Sequence, residues 1–355
     1  MASKQVDLDG FHRIRLPSES QIMSTWKTRA DFPLVSVICI TYNHERYIED
    51  ALRGFLIQVT DFPFEIIVHD DASNDRTAEI VNRYQSLYPH IVKPIFQTVN
   101  QYSTSPGIPI SRCLEAAAGE YIALCEGDDF WIHPLKLKKQ IDALSDSRHQ
   151  SELCFHSAIR IDATNENRKI IGRYARRSSL VPAECIIKHT HGQIPTASLV
   201  LTRAAARRYY EFLRDNPGLP VGDIYLQAIA AARDGALFIA ETMSVYRVFA
   251  EGSWSARTRN SSVKIAHALK RFEATFVLDR LTNGRFHSAF MAALSDQSCD
   301  IVVHKSYDRR LKTDFLRETA SYYTACQKLM FYLVCYMPRP LLRVIRAYRT
   351  FKRGR

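Results

Sequence analysis

Long hydrophobic runs are missing from this 355-residue chain. None approaches the roughly 20 consecutive apolar residues of a spanning helix, which excludes a transmembrane helix. The amino terminus, Met1-Ala-Ser-Lys-Gln-Val-Asp7, has no basic stretch leading into an apolar core, so no secretory leader is expected. The cysteines at 39, 113, 125, 154, 185, 299, 326 and 335 form no CxxC pair, and several sit inside apolar runs. They read as reduced packing residues of a cytoplasmic protein, not as a disulfide framework or a zinc site. Internal repeats and low-complexity stretches are absent, and 46% hydrophobic with 24% charged residues is a globular composition. Acids are scarce at the end of the chain. From Ile301 onward thirteen Lys and Arg face only Asp308, Asp314 and Glu318, so nearly all of the net charge of +11 lies there. A near-neutral body with a basic tail argues for a local anionic contact and against a nucleic-acid-binding domain.

Residues 1–32 are polar and irregular, an arm ahead of the first regular pattern. From Val35 the text alternates. Strands are expected at 35–40, 64–68, 91–97 and 121–125, with helices at 47–58, 75–88 and 110–118 between them. This alternation with short connections predicts an α/β fold with a mostly parallel, doubly wound sheet. Beyond residue 140 the pattern loosens into strands near 153–161, 197–202 and 236–240 and helices near 203–213 and 223–233. From residue 256 only helical spacing and charge remain, which puts a domain boundary near Trp254.

Ligands of such sheets sit at the carboxyl ends of the strands. Both acidic turns fall there: Asp70-Asp71 after the second strand, and Glu126-Gly-Asp-Asp129 after the fourth. Gathered carboxylates repel unless something compensates them. A divalent cation bridging to a phosphorylated ligand does so, and hard oxygen ligands suit Mn²⁺ or Mg²⁺. Taken singly, Asp70, Asp71 and Asp75 also read as caps of the next helix, and Gly127-Asp-Asp129 as a tight turn. His44 reads as an ordinary turn residue, and Trp131 either as core or as a wall of an acceptor cleft.

The pieces taken in order resemble the family 2 glycosyltransferases. They are Pro33-Leu-Val-Ser-Val-Ile-Cys-Ile-Thr-Tyr-Asn43, Glu65-Ile-Ile-Val-His-Asp-Asp-Ala-Ser-Asn-Asp-Arg-Thr77, Ala118-Gly-Glu-Tyr-Ile-Ala-Leu-Cys-Glu-Gly-Asp-Asp-Phe-Trp131 and Pro134-Leu-Lys-Leu-Lys-Lys-Gln140. Ile194-Pro-Thr-Ala-Ser198, Gly222-Asp-Ile-Tyr-Leu226, Met243-Ser-Val-Tyr-Arg247 and Trp254-Ser255 follow. The resemblance implies a GT-A fold over 33–255, with a helical basic extension over 256–355. It implies transfer of a sugar, with inversion, from a nucleotide-sugar donor (UDP-linked by preference) to a hydroxyl of a cell-surface polysaccharide or glycolipid. On it, Thr41, Tyr42 and Asp71 face base and ribose, Asp128 the ribose, and Asp129 the metal. Arg247 is a diphosphate contact, with Arg257 and Arg259 as alternatives, and Asp223 is the catalytic base. Asp223 also reads as a helix cap. Phe249 stands where many relatives carry a His, which leaves the metal's further ligand open. His189-Thr-His191 is weak as a metal pair and fits an acceptor or diphosphate contact better.

Two other readings stand beside this one. A sugar nucleotidyltransferase lacks support, because no Gly-rich, basic loop follows the first strand to hold a triphosphate. A catalytically dead membrane scaffold sits poorly with intact Asp71, Asp128, Asp129 and Asp223. The tail, residues 328–355, has eight basic residues and no acid, and a helix from Leu341 would be basic and amphipathic. It reads either as a peripheral anchor on an anionic membrane, at the inner face of the plasma membrane, or as a helix packed on the domain.

Overall fold

A computed structural model describes residues 8–28, 32–146, 148–162, 168–190, 192–219, 222–250, 261–303, 307 and 309–336. The expected boundary at Trp254, Arg257, Arg259, His191 and the basic helix from Leu341 lie outside these residues. The arm holds two short helices, α1 (Leu8–Arg13) and α2 (Glu19–Met23). A capping box explains the second: Ser18 accepts from the Gln21 backbone while the Gln21 side chain accepts from Ser18 N–H.

Alternation then proceeds much as the sequence predicts. β1 (Val35–Thr41), α3 (Ile48–Leu56), β2 (Phe64–Asp70), α4 (Thr77–Leu87) and β3 (Val92–Phe96) follow one another. Next come α5 (Gln101–Thr104), α6 (Ile108–Ala116), β4 (Tyr121–Leu124), the two-residue β5 (Phe130–Trp131) and α7 (Lys136–Leu144). β6 (Leu153–Ile161), β7 (Lys169–Ile171), β8 (Ser179–Val181), α8 (Ala183–Ile187) and β9 (Val200–Thr202) continue the sheet. α9 (Arg203–Asp215), α10 (Asp223–Ala231) and β10 (Ala236–Arg247) complete it. The extension contributes α11 (Ser261–Leu281), α12 (His287–Val303), α13 (Arg309–Glu318) and α14 (Ala325–Tyr336).

The sheet runs β3-β2-β1-β4-β9-β6-β10-β5, with β7 on β6 and β8 on β10. β1 is parallel to both β2 and β4. The chain therefore winds outward from β1 in one direction and returns on its other side, opening a crevice at the carboxyl ends of those strands. Successive residues of β1 point to opposite faces. Val37 and Cys39 join a core with α3, α4 and α7, while Ile38 joins one with α6, α8, α9 and α10. Ala274, Leu278 and Phe290 of α11 and α12 belong to that second core.

β10 departs from expectation. It continues seven residues past Ala240 to Arg247, through register shifts between Ile239 and Ser244. The polar Glu241-Thr242 pair masks the strand in the sequence, and the bulges re-phase it so that Met243 and Val245 are buried again.

At the opposite, amino-terminal end of the strands a single carboxylate ties three elements. Buried Glu65 accepts from Ser36 Oγ at 2.6 Å, Lys93 Nζ at 2.6 Å and Ala118 N–H at 2.7 Å. Glu65→Ala strands the hydroxyl and the amide, so it is expected to destabilise the fold by about 3 kcal/mol. Urea unfolding measures this, and a midpoint within error of the parent would remove Glu65 from that role.

Candidate active site

The acidic turn after β4 is held from both sides. Gly127 N–H donates to Ile40 O at 2.9 Å, which hangs the turn on β1. Only glycine fits there, because a Cβ would lie 2.7 Å from Thr41 Oγ1 and 2.9 Å from His44 Nδ1. From the far side Arg247, at the end of β10, donates its backbone N–H to Asp129 Oδ1 at 2.8 Å and Nη1–H to the Asp128 carbonyl at 2.9 Å. Its guanidinium pairs with Asp50 of α3 and lies over the Phe130 ring, 4.5 Å from the centroid. Arg247 thus carries the brace, and the diphosphate role expected of it competes with bonds already made.

These contacts leave defined atoms free. Asp129 is 1% exposed, and its Oδ2 is buried with no partner. Burial, with Asp128 and Glu126 beside it, drives its carboxyl well above the usual carboxylate range. Asp128 is buried, and its carboxylate forms no hydrogen bond among the described residues. Glu126 is exposed to solvent yet surrounded closely by other protein groups. Desolvation there, with Asp128 and Asp223 nearby, pushes it up to about 8.

Asp223 reaches the same crevice from α10. The N-cap is Gly222, so Asp223 is the first helical residue and not the cap. Its Oδ2 accepts from Gln227 Nε2 at 3.1 Å and Thr196 Oγ1 at 3.4 Å. Burial raises its pKa, against the pull of Arg271 in α11. Tyr246 links the two acidic groups: burial and then the charges of Asp129, Glu126 and Asp223 all push its phenol up. Glu126, Asp128, Asp129, Asp223 and Tyr246 therefore share one electrostatic neighbourhood.

The other sequence candidates divide. Thr41 is buried with Oγ1 unpartnered, and Tyr42 beside it is half-buried. Asp71 accepts from Gln101 N–H at 2.7 Å and Tyr102 N–H at 2.9 Å, which anchors α5. Asp70 takes Ser73, and Asp75 takes Thr77 and Glu45, so both are occupied in shaping the turn. Trp131 is core: its indole donates to Ala197 O at 2.8 Å. Phe249 is exposed, in the left-handed region at φ 62°.

Two groups escape a reading of the sequence. His44 is buried with an unpartnered Nδ1, and desolvation lowers its pKa. The Asn-His pair gives a turn signal but no hint of burial. Arg271 lies far along the chain, in a helix with no motif to mark it.

A divalent cation fits this arrangement in one respect. Asp129 Oδ2 is a buried, unpartnered oxygen among other carboxylates. Among the described residues no group of three or more His, Cys, Asp or Glu side chains is assembled around a metal position. The residues therefore suit a cation that completes its shell on substrate oxygens, not one caged by protein ligands.

Residues 36–208 match the model of the family described as Glycosyl transferase family 2. That segment, just under half of the chain, is similar to family 2 glycosyltransferases. An uncharacterised protein of Mycobacterium tuberculosis (strain ATCC 25618 / H37Rv) is 35% identical over 222 residues, 62% of this chain and 60% of the relative. The chain thus spans about 60% of that relative's length. Among solved structures, S. aureus TarS in complex with UDP-GlcNAc is similar at TM-score 0.52 and 19% identity, over 85% of this chain and 90% of that one. The mannosyltransferase PcManGT of Pyrobaculum calidifontis, in complex with GDP-Man and Mn²⁺, gives TM-score 0.52 and 17% identity over 98% and 88%. These two likenesses show a GT-A type of fold.

The close approach at Gly127 yields a test. Gly127→Ala forces the new methyl onto Thr41 and His44 and is expected to destabilise by about 1–3 kcal/mol. A urea midpoint equal to the parent's would mean the turn has room that the packing denies.

Proposed function

We propose that the protein is an inverting, metal-assisted glycosyltransferase that moves a sugar from a nucleotide-sugar, UDP-linked by preference, to an acceptor hydroxyl. The observation that carries this reading is the shared crevice: an acidic turn with a free, buried Asp129 oxygen, and a separate carboxylate, Asp223, on the facing helix. The family 2 similarity and the nucleotide-sugar complexes of the two fold neighbours support it.

Displacement at an anomeric carbon builds negative charge on the departing diphosphate. Mn²⁺ or Mg²⁺, held through Asp129, supplies Lewis-acid stabilisation of that charge when bound. Asp128 holds the ribose, and Thr41, Tyr42 and Asp71 the uridine. Arg247 keeps Asp129 Oδ1 occupied and leaves Oδ2 as the oxygen without a protein partner. Asp223 takes the acceptor proton as attack proceeds, while Gln227 and Thr196 hold its carboxylate in one orientation. One base on the face opposite the leaving group gives inversion, and no enzyme nucleophile is needed.

A panel of nucleotide-sugars offered with lipid and polysaccharide extract, read by mass spectrometry, identifies donor and acceptor. In that assay Asp223→Asn is expected to keep UDP affinity and to lose roughly 10² or more in turnover. Asp129→Ala is expected to lose Mn²⁺-dependent UDP binding. Near-normal turnover of the Asn variant would place the base elsewhere, with Glu126 next in line.

The acceptor side is assigned to an anionic membrane surface, with the protein peripheral at the inner face of the plasma membrane. No helix among the described residues is long and apolar enough to cross a membrane. However, α14 buries Phe331 and Cys335 while exposing Leu329, Met330, Leu333 and Tyr336. That apolar face leads straight into the sequence 337–355, which has seven basic residues and no acid. Each cation near anionic headgroups contributes about 1 kcal/mol, screened by salt, and the apolar face adds a salt-insensitive part. The full chain is expected to sediment with anionic vesicles, and to be weakened but not fully released at high salt. Leu329→Ser/Leu333→Ser should lose the salt-resistant fraction. Equal sedimentation with neutral vesicles would reject the assignment.

A further inference from the structure

The surroundings of Asp223 are completed by the extension, outside the 36–208 family segment. α11 packs on α10 and brings Arg271 to face Asp223 and Tyr225. The same charge acts on His189, in the turn after α8. It does not figure among the charges that dominate Asp129, which are Asp128, Glu126 and Arg247. Arg271 thus belongs to the Asp223 end of the crevice, away from the acidic turn.

Arg271 is half-buried, and its bonding is uneven. Nε is buried without a partner, and no ion pair forms around the guanidinium among the described residues. Two neighbours share that condition. The Tyr225 hydroxyl is unpartnered on a side chain 1% exposed, and His189 Nδ1 is buried and unpartnered. Buried polar atoms are normally satisfied, so three neighbouring ones without partners call for an explanation.

The chemistry of the three is one-sided. A guanidinium only donates, a phenol donates readily, and a neutral imidazole donates from Nδ1 in one tautomer. Asp223 attracts the guanidinium at a distance, but its hydrogen bonds with other side chains go to Gln227 and Thr196 and to none of the three donors. Donor atoms left without protein partners on three packed elements beside the base suit an oxyanion.

We propose that Arg271, Tyr225 and His189 form an oxyanion subsite on the acceptor side of Asp223, so that the acceptor carries a phosphate or carboxylate next to the hydroxyl that is glycosylated. This rests on Asp223 being the base. The acceptor's hydroxyl meets Asp223 while its neighbouring anion meets the guanidinium, which fixes which hydroxyl is presented. A neutral acceptor would leave all three donors unmet in the complex.

Inorganic phosphate is the probe, titrated calorimetrically into the full chain with UDP and Mg²⁺ already bound. Phosphate is expected to bind without displacing UDP. Arg271→Met and Tyr225→Phe should each weaken it about tenfold or more, the loss expected of a charge-assisted bond. Arg271→Lys keeps the charge without the planar fork and should fall between, which guards against a Met variant that fails to fold. UDP affinity is the separate readout. Phosphate competing with UDP, or UDP affinity falling with Arg271→Met, would assign the guanidinium to the donor's diphosphate and overturn the acceptor subsite. Unchanged phosphate affinity in both variants would overturn it too. An unaltered chain that binds phosphate but not UDP would sink the donor reading, and with it the role of Asp223 as base.

Discussion

Everything at this site depends on holding three carboxyl groups in one four-residue turn against their mutual repulsion. At about 4 Å two like charges oppose each other by roughly 4 kcal/mol near a protein surface, and by more in a dry recess. A turn of Glu126, Asp128 and Asp129 left to itself would splay toward water. Two restraints from distant parts of the chain prevent that. The Gly127 amide is bonded to β1, with no side chain to hold the backbone away from Thr41. Arg247 closes the other side with its backbone and its guanidinium. Repulsion then has one outlet in the unliganded protein, which is protonation, and Asp129 and Glu126 both shift in that direction.

The crevice sorts its acids by what they are bonded to. Asp50, Asp70 and Asp75 each have donors in the surrounding backbone or in Arg247, and they build the walls. Asp71 is intermediate, because both its oxygens accept from the start of α5. Among the described residues Asp129 Oδ2 and the Asp128 carboxylate have no protein donor, so a ligand has no such bond to break there. Asp223 stands between these classes, oriented through one oxygen. Sequence position alone does not separate Asp70, Asp71, Asp75, Asp128 and Asp129, which all lie in acidic turns after strands.

What the sequence reveals follows the range of the interactions. β1 to β4 and the helices between them are legible because apolar spacing and turn chemistry are local. The candidate aspartates are legible because they follow strands. Arg247 is legible as a motif member, but its pairing with Asp50 spans almost two hundred positions and joins β10 to α3. The full length of β10 is hidden by Glu241-Thr242, where bulges and not alternation carry the strand. His44 and Arg271 illustrate the hardest case. Burial without a partner is a property of the assembled molecule, and no spacing rule encodes it.

The extension alters the problem the sheet has to solve. One face of β1, β2 and β4 is covered by α6, α9 and α10, yet that core also takes in Ala274, Leu278, Phe286 and Phe290. α11 is thereby held against α10 by apolar burial, while its far side enters the separate core of Phe272, Phe315 and Phe331. A helix fixed on both sides can keep a charged side chain in a poorly solvated place at a defined distance from Asp223. A loop could not, because the guanidinium would swing out to water. The packing of the extension and the buried, unpartnered Nε of Arg271 are thus linked, because α11 is held on both sides.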